Sequence, residues 1–255
     1  MTFPKLNVVL ATTAAVLVVQ STMAAQANLP AVTTTNAAPE AHKNTAIVPV
    51  PHTGSRRQPI VLQRARETPG GYDIEFIGDS IMQGWEGRGQ KVWREFYGGR
   101  KVINFGVSGD RTQHVLWRFE HGQLDGIKAK VAVVMIGTNN SNGHDNSEAD
   151  MLEGVTAIIQ QIRTRQPDTK ILLLGIFPRG KTFSPQRGKI LQVNQALAKL
   201  DDGSHILYFD LGSQLIESDG SISPSIMPDA VHPSEAGYKI WATAIEPKLK
   251  QLLGN

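Results

Sequence analysis

The feature that most constrains the fold is an alternation of short β-branched apolar runs with longer amphipathic segments, which begins after Tyr72. Five apolar runs predict strands, at residues 74–77, 101–105, 131–136, 170–176 and 205–209. Four amphipathic segments predict helices, at residues 91–96, 147–166, 186–199 and 234–253. Alternating strands and helices predict an α/β domain whose parallel sheet is covered by helices on both faces. In such sheets ligands bind beyond the carboxyl ends of the strands, so functional residues are expected at that edge.

Glycines and polar residues follow the predicted strands directly. Gly-Asp-Ser follows the first strand at residues 78–80, Gly-Val-Ser-Gly-Asp follows the second at 106–110, and Gly-Thr-Asn-Asn follows the third at 137–140. A fourth segment, Asp-Ala-Val-His at residues 229–232, precedes the last predicted helix. These four segments are expected to meet at one edge of the sheet. A serine, a glycine turn, an asparagine and an Asp-x-x-His pair are the parts of a serine hydrolase.

Each segment supplies a residue with the chemistry that ester hydrolysis needs. Ser80 is the candidate nucleophile, although a serine hydroxyl attacks poorly until a base removes its proton. His232 is the candidate base, because among the seven histidines it alone follows a carboxylate by three residues on a loop ahead of a predicted helix. Asp229 is expected to orient the imidazole and to stabilise its charged form. The candidate oxyanion donors are the backbone N–H groups of Ser80 and Gly109 and the side-chain amide of Asn139.

Taken singly, these segments also fit structural roles. Residues 137–140 fit an ordinary turn because Asn and Gly favour turns, and Asp229 and His232 fit the start of a helix. Their joint occurrence at one edge of the predicted sheet favours the catalytic interpretation. The dinucleotide fingerprint, the P-loop and the Gly-x-Ser-x-Gly sequence of the α/β-hydrolases are all absent.

Charge and composition exclude further classes of protein. The formal net charge is +3, but residues 1–58 hold four of the 26 basic and one of the 23 acidic residues, which leaves 22 of each in 59–255. A neutral domain lacks the positive field of nucleic-acid binders, so no nucleic-acid partner is expected. Without cysteine the chain has no disulfide, thiol nucleophile or thiolate metal site. Four histidines lack the paired spacing of a zinc site and are interpreted as surface or core residues, so that no metal is predicted: His114, His121, His144 and His205.

The first 27 residues predict an export signal. Lys5 gives a positive start, residues 6–20 are almost wholly apolar or small, and Ala-Gln-Ala at 25–27 fits a small-x-small cleavage site. Cleavage is expected after Ala27, with residues 24 and 25 as alternatives. A membrane anchor is the competing interpretation, but about 15 apolar residues fall short of the roughly 20 that a span needs. The mature protein is therefore expected to be secreted or periplasmic, without a stable membrane span.

Residues 28–58 predict a flexible linker or arm, because they are rich in Ala, Thr, Pro and Asn and show no periodicity that survives the prolines. In an alternative interpretation, the apolar residues 47–50 and 60–62 lie across the surface of the domain. The hydrolase domain itself is predicted over residues 59–255.

The four polar segments at residues 78–80, 106–110, 137–140 and 229–232 together resemble the four sequence blocks of the SGNH, or GDSL-type, hydrolases. Within that superfamily, five stretches resemble one subgroup, the catalytic subunits of intracellular platelet-activating-factor acetylhydrolase: residues 104–106, 114–118, 137–140, 164–167 and 178–180. The resemblance covers residues 75–253 and implies a three-layer α/β/α flavodoxin-like domain, a Ser80-His232-Asp229 triad, the oxyanion donors named above and no cofactor. Two departures separate the chain from the subgroup. Ser108 replaces a second glycine that is common there, and this chain has a predicted export signal whereas the resembled proteins are cytosolic. The mechanism is therefore expected to carry over, but the substrate is not.

Three functions remain open from the sequence. The leading one is an exported esterase that removes O-acetyl groups from glycans; the alternatives are cleavage of short acyl chains from phospholipids and a non-catalytic glycan-binding module. Four aromatic residues are either sugar-stacking surfaces or core: Trp85, Trp93, Trp117 and Phe183. Ile81 and Val231 flank the candidate nucleophile and base, and are predicted to wall a small acyl pocket that favours acetyl. The expected partner is a small-molecule or glycan ester, and the oligomeric state is left open.

Overall fold

A computed structural model describes residues 42–254 of the chain. The described residues form five strands: β1 Gly70–Gly78, β2 Val102–Asn104, β3 Ile127–Met135, β4 Lys170–Leu174 and β5 Ile206–Phe209. They also form seven α-helices: α1 Arg57–Glu67, α2 Ser80–Gln83, α3 Gln90–Tyr97, α4 Thr112–Glu120, α5 Glu148–Arg165, α6 Pro185–Leu197 and α7 Glu235–Leu253. No helix in this part of the chain is long and apolar enough to cross a membrane.

The strands form one sheet in the order β2-β1-β3-β4-β5, and every neighbouring pair is parallel. This is the strand order of flavodoxin-like folds. The prediction of a five-stranded parallel sheet is confirmed. β1 and β3 begin four residues earlier than predicted, because Gly70 to Tyr72 pair with Ile127 to Ala129 along the sheet.

The sheet separates two hydrophobic cores, one on each face. Helices α1, α4, α5 and α6 cover one face with buried side chains such as Val61 and Ile158. Helices α2, α3 and α7 cover the other face with side chains such as Val92 and Trp241. Parallel strands buried on both faces explain the continuous apolar runs of the sequence, and the predicted three-layer α/β/α architecture is confirmed.

The four predicted helices are present within two residues of their expected bounds, as α3, α5, α6 and α7. Helices α1, α2 and α4 differ from the prediction, which places no helix at these positions. Pro59 is the third residue of α1, in the first turn, where the backbone N–H has no acceptor within the helix, so the proline does not break it. Helix α4 has nine residues and begins after Arg111, which is not a preferred N-cap residue, so its sequence carries no start signal.

The segment of residues 42–56, which we name the arm, lies against the domain rather than forming a free linker. Ala46 is fully buried and its carbonyl accepts a hydrogen bond from Thr112 Oγ1 at 2.8 Å. The N–H of Val50 donates to the carbonyl of Gln113 at 3.3 Å. The flexible-arm prediction is therefore wrong for the described part of 28–58, where the surface-lying alternative for residues 47–50 describes the chain better. The predicted signal at 1–27 lies outside the described residues.

Candidate active site

Ser80, His232 and Asp229 form a continuous chain of hydrogen bonds. Ser80 Oγ lies 2.8 Å from His232 Nε2, and His232 Nδ1 lies 2.8 Å from Asp229 Oδ2. An ionised carboxylate only accepts hydrogen bonds, so Nδ1 carries the proton that is donated to Asp229. This tautomer leaves Nε2 free to accept the proton of the Ser80 hydroxyl. The geometry is that of a Ser-His-Asp triad.

The turn of residues 78–81 holds Ser80, the first residue of the hydrogen-bonded triad, in place. Asp79 is the N-cap of α2, and its Oδ1 accepts the N–H of Ile81 at 2.9 Å, which fixes the start of the helix at Ser80. Gly78 has no room for a side chain, because a Cβ atom there would lie 2.3 Å from the carbonyl oxygen of Met135 in the neighbouring strand. Ser80 is therefore presented directly beyond the carboxyl end of β1.

The loop before α7 holds Asp229 and His232 in their positions through hydrogen bonds to its own backbone. Asp229 Oδ1 accepts the N–H groups of Val231 and His232 at 3.1 and 2.7 Å. Partial burial raises the pKa of Asp229, but these backbone bonds and the His232 side chain outweigh it and bring the pKa to about 2. Asp229 is therefore ionised at neutral pH. The next residue, Ala230, has a φ of 56°, a conformation that favours glycine, which marks the tightness of this turn.

The predicted oxyanion donors lie on neighbouring loops at the same edge of the sheet. The backbone N–H groups of Ser80 and Gly109 have no acceptor among the described residues. Gly109 has a φ of 79°, which a glycine adopts without strain. Asn139 donates one N–H of its side-chain amide to the carbonyl of Asp110 at 2.8 Å, which leaves the second N–H for a ligand.

A cavity of about 500 Å³ opens beside Ser80 and His232. Its other lining residues are mostly polar or charged: Arg57, Gln83, Gly84, Glu86, Gly87, Arg88, Ser108, Pro233 and Tyr238. Glu86 lies 2.6 Å from both Arg57 and Arg64, and Arg88 lies 3.9 Å from Asp229. The rim of the cavity therefore carries fixed charges that sequence reasoning missed, since Arg57 and Arg64 belong to the unpredicted helix α1.

The structure does not place the predicted acyl-pocket walls at this cavity. Ile81 is 1% exposed and belongs to the core between the sheet and helices α2, α3 and α7. Val231 is half-buried and, like Gly109 and Asn139, is not among the residues that line the cavity. The prediction is wrong for Ile81, because α2 begins at Ser80 and successive residues of a helix point about 100° apart.

The four aromatic residues also lie away from the cavity. Trp85 is fully buried and Trp93 packs against the same core. Trp117 stacks on His121 with ring centroids 3.7 Å apart, and Phe183 is 74% exposed in a separate groove between helix α6 and the segments that follow β4 and β5. The aromatic side chain that does line the cavity is Tyr238, whose Oη donates to the carbonyl of Ile81 at 2.7 Å.

Known proteins are similar in sequence to this chain over most of its length. The GDSL-like Lipase/Acylhydrolase family matches residues 76–240. Human platelet-activating factor acetylhydrolase IB subunit alpha2 is 40% identical over 182 residues, which cover 71% of this chain and 77% of that protein. The human alpha1 subunit is 38% identical over 184 residues, which cover 72% and 78% respectively. The chain belongs to the GDSL-like lipase/acylhydrolase family.

Solved structures show the same fold. A GDSL-like lipase from Bacteroides thetaiotaomicron is 19% identical with a TM-score of 0.61, and covers 77% of this chain and 98% of its own. A mutant of an acetyl-xylooligosaccharide esterase from Geobacillus Stearmophilus is 19% identical with a TM-score of 0.55, covering 73% and 96%. The resemblance to GDSL-type hydrolases and to the acetylhydrolase subunits is confirmed, and the protein is an acylhydrolase of this family.

A second group of titratable side chains lies at the loop of residues 106–110, which follows β2 and holds the predicted oxyanion donor Gly109; we name this loop the oxyanion loop. His52, Asp110 and His114 bring nitrogen and oxygen atoms within 4.8 Å of one another, a spacing that could hold a metal ion. Their bonding argues against one: Asp110 pairs with the buried Arg118 guanidinium, and His114 Nδ1 accepts the N–H of Arg111 at 3.1 Å. Burial is the main cause that brings the pKa of His114 to about 4. The group fits a hydrogen-bond network better than a cation site.

Residues 179–180 connect the loop after β3 with the loop before α7 in the GDSL site. Arg179 Nη1 donates to the carbonyl of Thr138 at 2.9 Å, beside Asn139, and the following N–H of Gly180 donates to the carbonyl of Ala230 at 2.8 Å. Burial lowers the pKa of Arg179, and the charges of Asp79 and Asp229 act against that lowering. From the sequence, Pro-Arg-Gly at 178–180 was noted only as one of the stretches that resemble the acetylhydrolase subunits, and no role was predicted for it.

Proposed function

We propose that this chain is an exported serine ester hydrolase that removes short acyl groups, chiefly acetyl, from carbohydrate O-acetyl esters. One observation carries the proposal: the hydrogen-bonded chain Ser80-His232-Asp229 opens onto a cavity with a polar, charged rim. Family membership supplies the reaction class, which is ester hydrolysis. The acetyl group, the carbohydrate and the export are the parts proposed.

In the proposed mechanism Ser80 Oγ attacks the ester carbonyl while His232 Nε2 takes the hydroxyl proton. Asp229 stabilises the imidazolium through its bond to Nδ1. The N–H groups of Ser80 and Gly109 and the free amide N–H of Asn139 donate to the tetrahedral oxyanion. His232 then gives its proton to the departing alcohol, which leaves an acyl group on Ser80. Water, activated by the same histidine, hydrolyses this acyl-enzyme and restores the hydroxyl.

The rim of the cavity supports a hydrated alcohol rather than a long apolar one. Gln83, Glu86, Arg88 and Ser108 offer hydrogen bonds to hydroxyl groups, and burying them under a lipid chain without partners would cost free energy. A relative that is 40% identical over 182 residues is named as a platelet-activating factor acetylhydrolase subunit, and one protein of the same fold is named as an acetyl-xylooligosaccharide esterase. Acetyl removal is common to both names, so short-chain phospholipid hydrolysis is the second candidate.

The proposal of export rests on the sequence of residues 1–27, with its positive start, apolar segment and small-x-small site. Secretion of the full chain from a host that recognises such signals, followed by N-terminal sequencing, tests it. A mature N-terminus near residue 28 is expected. Retention of residues 1–27 inside the cell would contradict export.

Replacement of the nucleophile tests the catalytic assignment. We expect Ser80→Ala to abolish hydrolysis of a generic aryl acetate while the melting temperature stays close to that of the wild type, because the hydroxyl faces a cavity. Ser225→Ala, at an exposed serine of another loop, is the matched control and should keep full activity. Activity of Ser80→Ala within tenfold of the wild type would rule out the triad, and an inactive wild type would favour a non-catalytic glycan-binding module.

A substrate panel separates the two enzymatic candidates. Acetylated xylan, acetylated pectin, O-acetyl sialic acid and a phospholipid with a short acyl chain are compared by acid released per enzyme molecule. The polar rim predicts higher kcat/KM on the sugar esters. Preference for the phospholipid would support the second candidate and contradict the first.

A further inference from the structure

Asp110 is the residue on which two proposed oxyanion donors converge. It directly follows Gly109, whose N–H is one donor. Its carbonyl accepts the side-chain amide of Asn139 at 2.8 Å, which orients the other donor. A shift of Asp110 therefore moves both donors, so whatever holds Asp110 also sets their geometry.

Two side chains hold the carboxylate of Asp110. The guanidinium of Arg118 pairs with Oδ2, and Nδ1 of His52 lies 2.8 Å from Oδ1. Asp110 and Arg118 are both fully buried, whereas the side chain of His52 is 22% exposed. Since an ionised carboxylate only accepts hydrogen bonds, His52 donates from Nδ1. Burial and the charge of Arg118 lower the pKa of His52, so the donor is the neutral imidazole.

The ring of His52 is itself held firmly against the oxyanion loop. Its Cε1 lies 3.0 Å from the position that a Cβ atom on Gly109 would occupy, so the ring covers the loop at the glycine. It stacks on His114 with ring centroids 4.5 Å apart and an angle of 16° between planes. The backbone N–H of His52 donates to Gln58 Oε1 at 2.8 Å. The arm thus delivers a fixed imidazole to the site.

We propose that His52 is a positioning residue that holds Asp110, and through it the N–H of Gly109 and the amide of Asn139, in the geometry that stabilises the oxyanion. His52 does not line the cavity beside Ser80 and acts through Asp110 alone. It lies upstream of residues 76–240, where the family match lies, so the catalytic unit of this chain extends into the arm. The inference rests on the proposed serine hydrolase mechanism.

Steady-state kinetics of His52 variants on an aryl acetate test the proposal. We expect His52→Ala to lower kcat about 10- to 100-fold with KM within about twofold, because an oxyanion donor acts on the transition state and small misplacements are costly. His52→Asn should recover most of kcat, since its amide N–H takes the place of Nδ1–H. His52→Gln, whose amide is one bond further out, should not.

His42→Ala is the matched control. His42 belongs to the same arm and pairs with a carboxylate in the same way, with Nε2 2.8 Å from Asp150, but lies away from the cavity. We expect it to keep wild-type kcat. Added imidazole gives a second readout: the partly exposed site of His52 should admit it, so that kcat of His52→Ala rises with imidazole and saturates, while the wild type is unchanged.

Several outcomes overturn the proposal. A kcat of His52→Ala within twofold of the wild type would do so, as would equal losses in His52→Ala and His42→Ala that follow the melting temperature. If His52→Ala does not fold, equal kcat for His52→Asn and His52→Gln overturns it. An inactive wild type, or activity that survives Ser80→Ala, refutes the proposed function instead, so the two failures are distinct.

Discussion

At the scale of single residues, Asn139 has one amide N–H bonded to the carbonyl of Asp110, and we propose that the other donates to the oxyanion. We expect Asn139→Ala and Asn139→Asp to lower kcat about 10²- to 10³-fold, because loss of one oxyanion donor typically has that effect. Asp should be the worse replacement, since a carboxylate donates nothing and repels the developing charge. Measurement of kcat and KM on one acetyl ester checks this. A rise in KM alone would make Asn139 a substrate-binding residue instead.

Glu75 is an ionisable residue that the mechanism does not use. It is fully buried in β1, and burial raises its pKa to about 8. In the unfolded chain a glutamate releases its proton near pH 4.5. As pH rises between these two values the native state binds more protons than the unfolded state, so the free energy of unfolding falls. This residue therefore stabilises the fold least in mildly alkaline solution.

Glu75→Gln imitates the protonated carboxyl and removes this titration. We expect the variant and the wild type to melt at similar temperatures at pH 5, and the variant to melt several degrees higher at pH 8, at about 2–4 °C for each kcal/mol. Thermal unfolding over a pH series measures the difference. Glu120→Gln, at an exposed position of α4, is the control and should leave the melting temperature unchanged at both pH 5 and pH 8. A constant difference between Glu75→Gln and the wild type across the series would contradict the assignment.

At the scale of elements, the phase of α2 decides which neighbours of Ser80 meet substrate. Ile81 is buried in the core, so Ile81→Ala should lower the free energy of unfolding by about 2–5 kcal/mol and leave the preference among acetyl, butyryl and octanoyl esters unchanged. Val231→Ala, at a half-buried position, should cost less. Denaturant unfolding and the ester series check both. A flattened ester series with unchanged stability would return Ile81 to the acyl pocket.

The strands were predictable because burial on both faces leaves continuous β-branched runs, as in residues 131–136. The meeting of Ser80 and His232 was predictable because one residue follows a strand and the other precedes a helix at the same edge of the sheet. Ile81 was not, because its direction depends on where α2 starts. Arg57 and His52 were not, because they reach the site through tertiary packing of a segment whose local sequence has no periodicity.

At the scale of the whole molecule, residues from His42 onward form one compact unit, so the functional domain begins earlier than residue 59. A chain that begins at His42 should keep the melting temperature and the esterase activity of the full chain. A chain that begins at Pro59 loses buried Ala46 and the side chains of His52 and Arg57, and should melt lower with kcat reduced at least about tenfold. Equal behaviour of the two truncated chains would show that the arm is dispensable.

Ser80 and His232 stand 152 residues apart in the chain and meet only when the C-terminal segment has packed against α2. All five strands precede Asp229 and His232 in the chain, so pairing of the strands does not by itself bring His232 to Ser80. Regain of esterase activity during refolding therefore requires the docking of the C-terminal segment, whereas far-ultraviolet circular dichroism follows secondary structure wherever in the chain it forms. A chain cleaved or halted before residue 229 is catalytically silent however native its sheet has become.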